Sequence, residues 1–363
     1  MPPFRSLALV SYRLGGHDGV SVEAAKWAWA ACQLGLEVLT VAGEGTADRL
    51  VPGLAWGHPE GPAASELGQA LGGIDLVVVE NLCSLPLNPG AGAAVATALR
   101  GRPAILRHHD LSWQRPQLAH LGPPPHDPAW LHVCINDLSR RQLAGHGITA
   151  VTVYNHFDTE AAPGRRLETR ALLGVAPERP LVLQPTRAIA RKNVAGGIAV
   201  AEAVPADYWL TGPAEEGYDA DLALLLARAR VPVHRLAAHA LGPDALGPDA
   251  RGPECVTMAD AYAASDAVVL PSTWEGFGNP ALESAVHRRP LAIGRYPVAS
   301  ELARFGFRWF AAEEPSALRE HLAHPQAGLI DHNLAVARRH FSLADLPDRL
   351  DALLARLGRR GSS

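Results

Sequence analysis

The sequence predicts an α/β protein of two doubly wound domains with parallel sheets. Three observations predict it. Short apolar runs alternate with alanine-rich helical stretches, and that alternation passes through the chain twice. A polar, Pro/Gly-containing stretch, Asp158–Arg166, separates the two passes. The length, 363 residues, exceeds what one hydrophobic core usually serves and suits two domains.

The expected strands of the first pass are Leu7–Val10, Glu37–Val41, Leu76–Val79, Ala104–Leu106, His132–Ile135 and Val151–Tyr154. Those of the second are Leu181–Leu183, Tyr208–Leu210, Val231–His234, Ala267–Leu270 and Leu291–Ile293. Each is short and apolar, as strands covered on both faces must be. The division predicted is 1–160 and 161–340. One irregular feature falls in the second half. Ala240–Glu254 repeats Gly-Pro at five-residue spacing three times, which forbids both helix and central strand and predicts a surface loop.

Composition excludes several classes. A net charge of −4 gives no footprint for nucleic acid. No apolar run is long enough to span a membrane, and the opening residues lack a signal-peptide layout. A peripheral membrane contact is left open by the Trp27/Trp29 helix, Val22–Leu34, which otherwise reads as core. Cys32, Cys83, Cys134 and Cys255 are scattered without metal-ligand spacing and read as core residues of a cytoplasmic protein.

The chemistry concentrates in Glu275-Gly-Phe-Gly-Asn-Pro-Ala-Leu-Glu283. An apolar strand precedes it. Asn279 is expected to cap a helix that Pro280 opens, so the unit is strand, glycine turn, helix. Such a turn offers bare N–H groups and a positive helix end to an anionic or polyhydroxyl ligand. A second signal is Leu181–Asn193, a buried strand running into a basic loop. Only two of the 33 basic residues are lysines, Lys26 and Lys192, so a lysine in that loop suggests that the ammonium itself is wanted.

These motifs resemble the retaining glycosyltransferases of the GT-B fold, the group 1 (family 4-like) type. The resemblance rests on Glu275, the Gly276-Phe277-Gly278 turn, Glu283 eight positions on, and Arg187 with Lys192 five residues later. It implies GT-B architecture, with two Rossmann-like domains facing a central cleft, and a C-terminal helix (341–360) crossing back to the first domain. By the same resemblance Glu275 contacts the hydroxyls of the donor sugar, Glu283 holds the ribose, and Arg187 and Lys192 neutralise the diphosphate as it leaves. Gly276, Phe277, Gly278 and Asn279 complete the donor contacts of that half. Val153–Asp158 resembles the family's Asn-Gly-Val-Asp segment but carries His156 where glycine is usual.

The first half bears the weaker chemistry. Gly15 and Gly16 follow the first strand and let the backbone approach a ligand at a helix N-terminus beginning near Val22. In the family this loop faces the donor phosphates and the acceptor, which makes His17 and Asp18 acceptor-side candidates. His109, in a His-Asp-Leu run, matches the family's strand-end histidine at the reaction centre. Asp110 and Trp113 beside it are further acceptor-side candidates. The spacing of His108, His109, His120, His126 and His132 fits no common metal pattern.

The activity implied is retaining transfer of a hexose, from UDP- or GDP-linked glucose or mannose, to a hydroxyl of a small, glycan or lipid acceptor. Neither a cofactor nor a metal is expected, since the two cations would take the leaving charge. Three other readings are a GT-B-fold sugar-nucleotide 2-epimerase, a retaining glycosidase and a non-catalytic sugar-nucleotide-binding protein. An epimerase would need no acceptor, a glycosidase no diphosphate-binding cations, and a sensor would bind without turnover.

Overall fold

The computed structural model describes residues 4–16, 18–236 and 256–360. His17, Cys255 and the Gly-Pro repeat lie outside the described residues. The chain divides into two compact units, Met1–His156 with Leu343–Ser363, and Phe157–Ser342.

The first unit holds strands β1 (Ser6–Leu14), β2 (Glu37–Gly45), β3 (Arg49–Leu50), β4 (Leu76–Glu80), β5 (Ala104–His108), β6 (Trp130–Cys134) and β7 (Ala150–Thr152). Their order is β3-β2-β1-β4-β5-β6-β7, with every neighbouring pair parallel. Alternate residues of one strand feed two cores. Val77 and Val79 of β4 pack with Ala8, Val10 and Leu106 on one face. Leu76 and Val78 pack with Leu7, Leu9 and Trp27 on the other. Helices must therefore cover both faces, the condition for a parallel sheet. The C-terminal helix Leu346–Arg360 supplies part of that cover, with Leu346, Leu350, Leu353, Leu354 and Leu357 in the second core at helical spacing.

The second unit repeats the scheme with β8 (Leu181–Gln184), β9 (Asp207–Leu210), β10 (Val233–His234), β11 (Ala267–Leu270), β12 (Leu291–Ile293) and β13 (Phe310–Ala311). The order is β10-β9-β8-β11-β12-β13, again all parallel. Both units are thus Rossmann-like. In each, the chain winds outward from one central strand and then returns to its other side. The switch points lie between β1 and β4 and between β8 and β11, where such sheets bind ligands beyond the carboxyl ends of the strands.

All the strands expected from the sequence are present, and β3 and β13 occur in addition, each only two residues long. Helix starts are less well anticipated. The helix expected near Val22 begins at Gly19, because Asp18 caps it by accepting from Val20 N and Ser21 N, both at 3.1 Å. The helix Asn279–Val286 starts one residue earlier than Asn capping predicts, with Gly278 at the cap position and φ of 91°.

The first unit also encloses neutral histidines. Burial pushes the His156 imidazole down to about 4, and burial together with His132 holds His108 well below its ordinary range. The unfolded chain binds these protons first, so acid favours unfolding. Stability should be flat above about pH 6.5, the unperturbed histidine value, and fall as pH drops toward 4. Thermal melts across that range should show the decline, and His156→Asn should make it shallower; an unchanged slope in the variant would remove His156 from the account.

Candidate active site

In the second unit the loops leaving β8 and β11 carry the expected donor-side residues. Adjacent strand ends bring Lys192 and Glu275 together. Lys192 Nζ donates to Glu275 Oε1 at 2.5 Å and Oε2 at 2.7 Å, with both side chains nearly enclosed. Arg191 Nη1 adds a contact to Glu275 Oε2 at 3.3 Å and one to the Trp274 carbonyl at 3.2 Å. Burial alone would raise the Glu275 carboxyl, but Lys192 and Arg191 outweigh it and hold the group below the ordinary range, ionised. For Lys192 burial prevails, and its ammonium is held below the usual lysine value despite Glu275.

The loop is built from residues that motif reading overlooked. Gln184, the last residue of β8, donates to the Lys192 carbonyl at 3.0 Å, and Tyr208 in turn donates to Gln184 Oε1 at 2.7 Å. Asn193, left-handed at φ 49°, caps the next helix through Gly196 N and reaches across to the Pro271 carbonyl at 3.2 Å. Thr273 N donates to the Arg191 carbonyl at 2.9 Å. The two loops are therefore tied at several points before any ligand arrives. Gly197 is part of this construction, since a Cβ there would sit 2.1 Å from Gln184 Oε1 and 2.9 Å from the Tyr208 hydroxyl.

The other donor-side candidates lie on the same two loops and on the helix that follows β11. Arg187 pairs with Glu215 at 2.5 Å, each about one-third exposed, which makes it a weak contact that water can replace. Gly276 and Phe277 lie in the turn before the helix Asn279–Val286. Gly278 is required there twice over, by its positive φ and by the Tyr296 hydroxyl, which a Cβ would approach to 2.3 Å. Glu283, on that helix, accepts from Tyr262 Oη at 2.7 Å, and Tyr262 stacks on His287. Tyr262 and Tyr296 were not anticipated, since isolated tyrosines carry no motif.

In the first unit the loops leaving β1, β4 and β5 hold the remaining candidates. Gly15 turns with φ of 76°, and Gly16 precedes Asp18. Asp18 is occupied as a helix cap and by Arg13 at 3.3 Å. His109 is the candidate most tightly built in. Its Nε2 lies 2.6 Å from Glu80 Oε2, and its backbone N–H donates to Asn81 Oδ1 at 3.1 Å. Asp110 N also donates to Asn81 Oδ1, at 3.0 Å, and the Asp110 carboxylate takes Arg115 at 3.0 Å. Trp113 faces protein, donating to Gln142 Oε1 at 3.1 Å and meeting the His146 ring at a tilt. His108, His132 and His126 form a line, with ring nitrogens 2.9 and 3.3 Å apart.

No protein-family model matches the chain. Among curated proteins it is 25% identical to the mannosylglucosylglycerate synthase of Thermotoga maritima, over 95% of this chain and 98% of that one. It is also 25% identical to the mannosylglucosylglycerate synthase of Petrotoga mobilis, over 83% and 85% respectively. Among solved structures it resembles Anabaena HepE in complex with UDP-glucose, with a TM-score of 0.72, 17% identity, and 97% and 99% of the two chains covered. The likeness to HepE shows the GT-B fold. By its fold and its relatives over nearly the whole chain, this is a nucleotide-sugar glycosyltransferase of GT-B fold. Among the described residues no helix is long and apolar enough to cross a membrane.

The dependence of Lys192 on Gln184 can be tested. Gly197→Ala should displace Gln184 and cost about 1–3 kcal/mol, the usual scale for overpacking. Denaturant unfolding should register that cost, and transfer activity should fall with it. An alanine that leaves both unchanged would mean that Gln184 does not hold the loop.

Proposed function

We propose that the protein is a retaining, metal-independent hexosyltransferase of the cytoplasm. Its donor is a UDP- or GDP-linked glucose or mannose, and its acceptor a hydroxyl on a small molecule. The names of the two curated relatives given above describe a mannosyl group joined to glucosylglycerate. Mannosyl transfer to a small anionic glycoside is therefore the favoured form. The observation that supports the proposal most is the Lys192–Glu275 pair with Arg191 beside it.

In the proposed reaction Lys192 and Arg187 take the donor diphosphate, and the backbone of Gly276, Phe277, Gly278 and Asn279 faces its oxygens. Glu275 accepts from hydroxyls of the sugar and Glu283 from the ribose. The acceptor oxygen attacks the anomeric carbon on the face that the phosphate leaves. The carbon–phosphate oxygen bond breaks, and the departing phosphate oxygen receives the acceptor proton. The products are a glycoside of unchanged anomeric configuration and a nucleoside diphosphate. No protein nucleophile is needed. The enzyme contributes positioning and charge set in advance.

The free protein already holds the relevant charges. A diphosphate draws Lys192 away from Glu275, while Arg191, anchored on Trp274, keeps the carboxylate compensated. The exchange needs little rearrangement, since one ammonium changes partners within a prebuilt loop.

Two measurements test the proposal. Melting curves with UDP, GDP, ADP, CDP and their common sugars should show one preferred base. A ligand at 100 times its Kd adds about 2.7 kcal/mol, which amounts to several degrees, and Lys192→Ala should abolish the shift. With that donor, Lys192→Ala and Glu275→Ala should each lower turnover at least ~100-fold. Near-normal turnover in either variant, or a product of inverted configuration by proton NMR, would defeat the corresponding part of the reading.

A further inference from the structure

The first unit contains a charge network that the motifs do not announce. Arg107, fully enclosed in β5, donates through Nη1 to Glu80 Oε1 and Oε2 at 3.2 and 3.3 Å. Through Nη2 it reaches Glu23 Oε2 at 3.0 Å and Asn155 Oδ1 at 3.3 Å. Lys26 closes on the other oxygen of Glu23 at 2.6 Å. The guanidinium lies 4.5 Å over the Trp27 ring. Two carboxylates and two cations are balanced inside a core, and one member reaches out of it. Glu80 Oε2 meets His109 Nε2 at 2.6 Å, well inside its distances to Arg107.

We propose that Glu80 is a positioning residue for His109: its carboxylate accepts the Nε2–H, which leaves Nδ1 as the ring's acceptor for a sugar hydroxyl. The sugar hydroxyl rests on the glycosyltransferase reading given above; the placement of the proton does not. Three observations carry it. A carboxylate can only accept, so whenever Glu80 is ionised the facing nitrogen must bear the hydrogen. Glu80 is ionised, because burial is outweighed by Arg107 and His109 at its oxygens. The neighbouring residue, Asn81, takes the backbone N–H groups of both His109 and Asp110 on one oxygen. The end of β4 therefore fixes the main chain and the ring of His109 together.

This differs from a purely structural ion pair. Arg107 has Glu23 and Asn155 as partners without Glu80, and a carboxylate needed only to balance it would not have to contact the imidazole. With Nε2–H held by an anion, a neutral His109 can receive a hydroxyl hydrogen but not donate one from Nδ1. The reverse tautomer would present a donor and leave the carboxylate facing a lone pair. A histidine with this orientation suits a sugar hydroxyl of either substrate, donor or acceptor.

The direct test needs no substrate. Long-range proton–nitrogen spectra of histidine-labelled protein at pH 8, with His109 assigned from its loss in His109→Ala, report which ring nitrogen is protonated. The expected result is an Nε2–H tautomer in the wild type, a mixture in Glu80→Gln, whose amide can face the ring either way, and recovery of Nε2–H in Glu80→Asp. An Nδ1–H tautomer in the wild type, or no change in Glu80→Gln, would overturn the proposal. Kinetics then separate positioning from fold. With the donor selected by the melting panel, Glu80→Gln should lower kcat at least ~10-fold, with the donor KM within about threefold. It should cost nothing further in a His109→Ala background. An equal loss in both backgrounds would mean that Glu80 acts on stability and not through His109. Release of nucleotide without acceptor assigns the hydroxyl: a loss there places it on the donor, and a loss confined to transfer places it on the acceptor.

Discussion

A carboxylate enters a protein interior only if cations follow it, and both units are organised around that constraint. Glu275 is compensated by Lys192 and Arg191. Glu23 is compensated by Lys26 and Arg107. The chain has two lysines, and each sits on a buried glutamate that also takes an arginine. Removing one partner of such a group typically costs about 3–5 kcal/mol, because an uncompensated charge stays behind. The two groups differ in what surrounds them. Around Glu23 the partners are a helix residue, Lys26, and a strand residue, Arg107, which lies over the Trp27 ring, and the charges are locked. Around Glu275 they stand on loops at a switch point, where the proposed diphosphate would compete for the lysine.

That difference follows from chain topology. Parallel doubly wound sheets leave the carboxyl ends of their central strands uncovered by the crossover helices. Loops there can hold polar groups that the cores exclude. Two asparagines with left-handed backbones, Asn81 and Asn193, do similar work at these ends. Asn81 gathers the N–H groups of the neighbouring loop after β5, and Asn193 ties the loop after β8 to the end of β11. Asparagine tolerates that conformation and carries both a donor and an acceptor to bridge with. The result is loops set by side-chain hydrogen bonds as firmly as the strands are set by ladders, which suits electrostatic catalysis.

How much of this could be read from the sequence depends on the kind of signal. Interior parallel strands are bare apolar runs, so eleven were legible, the two-residue Val233–His234 among them as part of Val231–His234, whereas Arg49–Leu50 and Phe310–Ala311, also two residues each, were not expected. Lys192 stood out by rarity and Glu275 by motif. Lys26 is just as rare, but no motif drew attention to it. Glu80, Arg107 and Gln184 were missed because each is a polar residue at or next to the end of a mostly apolar strand. They still left a trace. A charge or amide closing Val77-Val-Val-Glu80, Ile105-Leu-Arg107 or Val182-Leu-Gln184 is costly in a core and therefore marks something held. Helix starts were misplaced at Asp18 and Gly278, since capping depends on backbone angles that residue types only bias.

The same reasoning explains why Lys192, and not another arginine, stands on Glu275. A guanidinium is rigid and forked, and once it is paired to a carboxylate through two contacts it exchanges partners only by moving as a plane. An ammonium on a flexible stem can swing from carboxylate to phosphate without disturbing the loop that carries it. Arg191, held at the Trp274 carbonyl, suits the opposite task of staying in place. The combination gives Glu275 one fixed counter-charge and one that can leave. In the proposed reaction the lysine of this arginine-rich chain thus marks the position where a charge moves.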